Sequence, residues 1–119
     1  MATIAGVGEW IAKGVHSTKW SSLTSGDVAA AQANSYLPNK SIFVTGTLGT
    51  STVLIQGSNA TSAAGSYFTL TDSAGNSLSF TASGADEVVQ NTRWIKPVWG
   101  SGAGATALFD VILVQSKGV

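Results

Sequence analysis

The chain has no cysteine, so no disulfide framework and no thiolate metal site can form, and the redox compartment is left unconstrained. Charge is nearly as scarce. Six basic and six acidic side chains cancel over 119 residues. A nucleic-acid binder carries a basic face, and none is visible here. Attraction to an anionic membrane surface has no more support. Neither nucleic acid nor membrane is therefore an expected partner. No apolar run approaches the length of a membrane span. The opening stretch MATIAGVGEWIAKG is interrupted by Glu9 and Lys13 and is not read as a signal peptide. Asn39-Lys40-Ser41 and Asn59-Ala60-Thr61 match the glycosylation pattern, a coincidental match without a secretion signal. Proline occurs twice and histidine once.

What the chain has in quantity is glycine, with 14 residues, and short runs of β-branched and aromatic residues between glycine corners. That pattern predicts an all-β fold, a small antiparallel β-sandwich or barrel of immunoglobulin-like or jelly-roll-like type. The length fits one domain able to bury a real core. Residues 1–13 read as an N-terminal arm and 14–119 as a single β domain.

The organising stretch is Ser41 to Gly57, SIFVTGTLGTSTVLIQG, read as two strands joined at Gly49-Thr50-Ser51 in a hairpin. In the arm, Ile4, Val7, Trp10 and Ile11 fall three or four apart, as on a helical stripe, although Gly6 and Gly8 weaken a helix there. The arm is either a tail that orders on contact or an apolar segment that docks on a neighbouring subunit. Val15 to Trp20 is a short strand. Val28 to Leu37 is a helical turn or a loop, with Asp27 as its N-cap. Residues 66–81 read as a second hairpin around the turn Asp72-Ser73-Ala74-Gly75-Asn76. Gly84 to Gln90 is expected as a short helical turn, with Asp86 and Glu87 near its start. Asn91 to Gly100 is a strand in which Pro97 requires an edge or a bulge. Thr106 to Gln115 is the last strand and apolar on both faces. Its Asp110 either points among apolar neighbours or sits where the strand leaves the core.

Chemistry is thin. His16 lacks any local nucleophile signature, and a lone strand histidine is more often structural. Asp86 and Glu87 are adjacent, which suits a helix start better than a catalytic pair. The Asp-x-Asp-x-Asp spacing of a calcium loop is missing. Ser101-Gly102-Ala103-Gly104 lacks the lysine of a phosphate loop. No catalytic, cofactor or metal residue is assigned, and no enzyme activity is expected. Four tryptophans and two tyrosines remain. Core packing is the first expectation for them, subunit contact the second and sugar stacking the third. Candidate subunit-contact residues are Ile4, Val7, Trp10, Ile11, Trp20 and Tyr36.

In order along the chain, WSSLTSGD (20–27), NKSIFVTGTLGT (39–50), VLIQGSN (53–59), FTLTDSAGNSLSFTASG (68–84) and NTRWIKPVWGSG (91–102) form a block. This block resembles small structural proteins of tailed bacteriophages, above all capsid decoration (cement) proteins. The segment ATSAAGSYF (60–68) departs from that pattern, with Tyr67 in place of an aromatic that usually follows an Asp-Gly corner. The resemblance implies a β domain on the virion capsid surface, assembled in the host cytoplasm. It implies the major capsid protein as partner, a homo-oligomer with a trimer favoured, and no cofactor. Two other readings stay open: a tail or head-fibre-associated protein, and a carbohydrate-binding module for host-surface glycan.

Overall fold

Strand formation follows the two-residue alternation of apolar side chains, seen most simply near the end of the chain. Phe109, Val111, Leu113 and Gln115 are buried there, while Leu108 is exposed and Asp110, Ile112 and Val114 are half-buried. The fold is that of a computed structural model, which describes residues 3–24, 27–33, 37, 39–49, 51–101 and 107–116. The strands are β1 (Thr3–Ile4), β2 (Val7–Ala12), β3 (Val15–Thr24), β4 (Val28–Ala29), β5 (Gln32–Ala33) and β6 (Asn39–Thr47). They continue with β7 (Thr52–Ser58), β8 (Phe68–Thr69), β9 (Ser79–Phe80), β10 (Gly84–Val88), β11 (Trp94–Ser101) and β12 (Leu108–Ser116). No helix occurs among the described residues.

One five-stranded sheet has the order β10-β6-β12-β3-β2, with every neighbour antiparallel. The other has the order β5-β11-β7-β8, with β9 also on β7. A short parallel pair, β1 with β4, lies beside them. Between the two sheets Ile42, Val44, Phe109, Val111 and Leu113 meet Val53, Ile55, Leu70, Leu78 and Ile95 in one core. Each such side chain contributes about 1.5–3 kcal/mol on leaving water.

The stretch from Ser41 to Gly57 forms both expected strands but not a hairpin. β6 joins the first sheet and β7 the second, so the corner at Gly49 carries the chain across the core. The partners of β6 are β12 and β10, and those of β7 are β11, β8 and β9. A glycine corner permits a reversal within one sheet or a step between two. Long-range pairing with β12 and β11 selects the step.

The second expected hairpin is present in altered form. Leu70 N–H donates to Ile55 C=O at 2.9 Å, and Ile55 N–H donates to Leu78 C=O at 3.0 Å. Leu70 and Leu78 thus flank one residue of β7, and residues 71–77 are ejected as a small loop closed by the Thr71–Ser77 bridge. The Asp72 carboxylate holds that loop, accepting the N–H groups of Ala74 and Asn76, each at 2.9 Å.

Three local expectations are corrected. Gly84 to Gln90 is not a helical turn: Gly84–Val88 pairs with β6, an arrangement that satisfies its backbone through a neighbouring strand. The segment after Asp27 forms β4 and β5 rather than a helical turn, and residues 34–36 lie outside those described. Asp27 accordingly caps no helix. Its carboxylate accepts the N–H and hydroxyl of Thr24, both at 2.9 Å, and closes the turn after β3.

Pro97 sits in β11 opposite Ile55. Ile55 spends its own N–H and C=O on Leu78 and Leu70, so this is a non-hydrogen-bonded pair. Pro97 therefore turns its missing donor towards β5, whose pairing with β11 stops at Trp94 and Ile95. The strand is locally an edge at the proline, as expected.

Candidate contact surface

Among the described residues of the arm, Thr3–Ile4 and Val7–Ala12 are strand residues. β2 pairs with β3 and forms one edge of the first sheet. Its close approach needs glycine: a Cβ on Gly8 would lie 2.9 Å from the His16 ring, and one on Gly6 would lie 2.7 Å from the Thr18 methyl. Val7, Trp10 and Ile11 remain 70%, 57% and 59% exposed. Trp10 leans on His16 in an edge-to-face contact, with centroids 4.9 Å apart.

Ile4 is half-buried and packs against the core, where its C=O accepts the Ala30 N–H at 2.8 Å. Trp20 is fully buried, with its indole N–H on the Ala30 carbonyl at 2.9 Å. It offers no surface to a partner and is corrected from contact residue to core residue. Tyr36 lies outside the described residues. The six candidates therefore do not form one patch.

Strand register shows a broader surface. Val7 lies opposite Lys19, Lys19 opposite Ile112, Ile112 opposite Phe43, and Phe43 opposite Ala85. Directly opposed residues share a face. These five make a continuous row across all five strands, on the face turned away from the core. The next row runs Glu9, Ser17, Val114, Ser41, Glu87. Leu108 is exposed on the same face. A row that is apolar except at Lys19 thus crosses the sheet, with Glu9 and Glu87 beside it at the two sheet edges. Lys19 and Asp110 form an ion pair on it at 3.4 Å. Asp110 therefore points outward and not into the core.

Phe43, Ile112 and Leu108 were not among the contact candidates. The available signal was the apolar content of both faces of the last strand: a strand with one solvated face alternates apolar and polar residues.

Other chemistry stays dispersed. His16 Nδ1, buried, has no hydrogen-bond partner among the described residues, and neither does the buried Thr18 hydroxyl. A triad histidine needs a carboxylate at that nitrogen. No group of three histidine, aspartate or glutamate side chains able to hold a metal occurs among the described residues. No helix among them is long and apolar enough to cross a membrane. A recess of about 140 Å³ opens between Leu23, Ala29, Val53, Pro97, Trp99 and Phe109.

Among the described residues the aromatic rings do not gather on one face. Trp99 packs edge-to-face on Phe109 and donates its indole N–H to the Asp27 carbonyl at 2.7 Å. Trp94 donates to the Ala60 carbonyl at 3.2 Å. Tyr67 lies under the Lys96 ammonium, 4.3 Å from the ring centroid, and burial raises the pKa of its phenol.

Comparison with family models, with curated proteins and with solved structures returned no match for this chain.

Proposed function

We propose that this protein is a structural component of a tailed-bacteriophage virion, a capsid decoration protein that binds the shell of major capsid protein and stabilises the head. The observation that carries the reading is the outward-facing row Val7–Lys19–Ile112–Phe43–Ala85, apolar at every position but Lys19. A strip of this kind costs solvation unless something covers it, and large exposed apolar patches mark interaction surfaces. The ordered resemblance over roughly residues 15–115 supports a phage shell as what covers it. The two facing sheets form a β-sandwich in this reading. Homotrimers sit on the capsid surface after assembly in the host cytoplasm, and many weak contacts add up through avidity. No nucleic acid, membrane or cofactor takes part.

The test is co-sedimentation with purified shells that lack the protein. The unaltered chain is expected to bind. Val7→Asp with Phe43→Asp is expected to abolish binding while leaving the melting temperature nearly unchanged, because both side chains point outward. Binding by the double variant would remove this face from the proposal. Failure of the unaltered chain to bind any such shell would overturn the capsid reading itself.

A further inference from the structure

Lys40 is an unusual residue for its place. It lies in the middle of a sheet, on the core side of β6, and is only 4% exposed. Across the sheet it faces Gln115 of β12 on one side and Val88 of β10 on the other. Its Nζ touches Oδ1 of the Asn91 side chain, 51 residues away in sequence. Asn91 leads from β10 into β11 and is itself exposed. The chain has no cysteine with which to staple such distant segments covalently.

We infer that Lys40 and Asn91 join in an intramolecular isopeptide bond formed by the folded chain. The arrangement supplies what the reaction requires. Amide formation needs a neutral amine, and desolvation by burial lowers the pKa of Lys40 in that direction. It needs the carboxamide held against the nitrogen, and fixed geometry of this kind replaces a large part of the entropic barrier.

In the reaction the lone pair of Lys40 Nζ attacks Asn91 Cγ. The Nζ–Cγ bond forms, the Cγ–Nδ2 bond breaks, and a proton from Nζ passes to the departing nitrogen. Ammonia leaves through the exposed side of Asn91. Nothing is oxidised or reduced, and no co-reactant is consumed. Glu87 borders the same recess but pairs with Ser41 and so belongs to the outer face of the sheet, and the proton passes directly between the two nitrogens. The product ties β6 to the start of β11, and with it the first sheet to the second.

The experiment is mass spectrometry of the purified, fully denatured protein, followed by proteolysis. The expected mass is that of the sequence less one ammonia. A branched peptide containing both Lys40 and Asn91 is expected, and Lys40→Met and Asn91→Ala should each give the full mass of their own sequence. The unaltered chain carries the decisive reading, so poor folding of a variant does not obscure it. Lys40 and Asn91 recovered in separate peptides would overturn the inference, whatever the intact mass. That result would leave an ordinary hydrogen bond between them.

Discussion

The backbone N–H of Ser22 donates to the Asp110 carboxylate at 2.7 Å, across an irregularity in the β3–β12 ladder. Phe109 pairs with Leu23 and Val111 with Trp20, so Ser21 and Ser22 together oppose one residue of β12. Ser22 is held at φ 55, a left-handed conformation that costs a residue with a Cβ about 1–2 kcal/mol. Asp110, which looked misplaced in an apolar strand, anchors this bulge from the outer face.

Ser22→Gly is therefore expected to stabilise the protein by about 1 kcal/mol, since glycine adopts that conformation at no steric cost. Asp110→Ala is expected to destabilise it by a similar amount. Urea unfolding of both variants checks this. A destabilised Ser22→Gly would show that the bulge carries no backbone strain.

Gly46 and Gly75 both have positive φ, 123 and 84, but their surroundings differ. A Cβ on Gly46 would meet the Leu108 carbonyl oxygen at 2.6 Å and the Phe109 Cα at 2.7 Å, both backbone atoms of the central strand. A Cβ on Gly75 meets nothing within 4 Å. Gly75→Ala is expected to cost about 1 kcal/mol, from backbone strain alone. Gly46→Ala is expected to cost about 3 kcal/mol or more, because β6 and β12 must also separate. Equal losses of melting temperature would show that the strand spacing yields freely.

Trp10 and Trp20 lie on adjacent strands and have opposite roles. Trp20→Ala removes a fully buried ring and its indole hydrogen bond, with an expected loss of about 3–5 kcal/mol. Trp10→Ala removes a ring more than half exposed, and a loss under about 1 kcal/mol is expected. Chemical denaturation of the two variants distinguishes them. A large loss from Trp10→Ala would make its contact with His16 a structural necessity.

The loop at residues 71–77 gives a pH dependence. Donation by the backbone N–H of Asn76, joined by those of Ala74 and Gly75, lowers the pKa of Asp72 below the usual aspartate range. A depressed folded-state pKa means stability that is present above the unfolded-state value and lost as pH falls through the folded one. The melting-temperature gap between the unaltered protein and Asp72→Ala should thus be widest near neutrality and shrink in acid, below the ordinary aspartate pKa. A gap independent of pH would assign the effect of Asp72 to something other than its charge.

The positions of the more regular strands were legible in the sequence because the two faces alternate in stretches such as 52–57 and 108–116. Pairing was not legible. Gly49 serves a hairpin or a crossing equally well, and the deciding partner of β6 lies more than sixty residues later, in β12. Asp86 and Glu87 resembled a helix start, but the exposed edge of β6 gave that segment a ladder to join. Val7, Trp10 and Ile11 were singled out by their three- and four-residue spacing, as on a helical stripe, and the structure leaves all three exposed on a strand. Phe43 and Ile112 were missed, because their shared face exists only once β6 and β12 are paired.

The position of β12 bears on how the chain is made. It is the last strand among the described residues, yet it lies between β3 and β6 at the centre of its sheet. Ribosomes add about 5–20 residues per second. Both flanking strands therefore wait several seconds with unpaired backbone before their common neighbour emerges. Folding of this sheet has to follow translation of residues 108–116, and any helper that shields β3 and β6 must act during that interval.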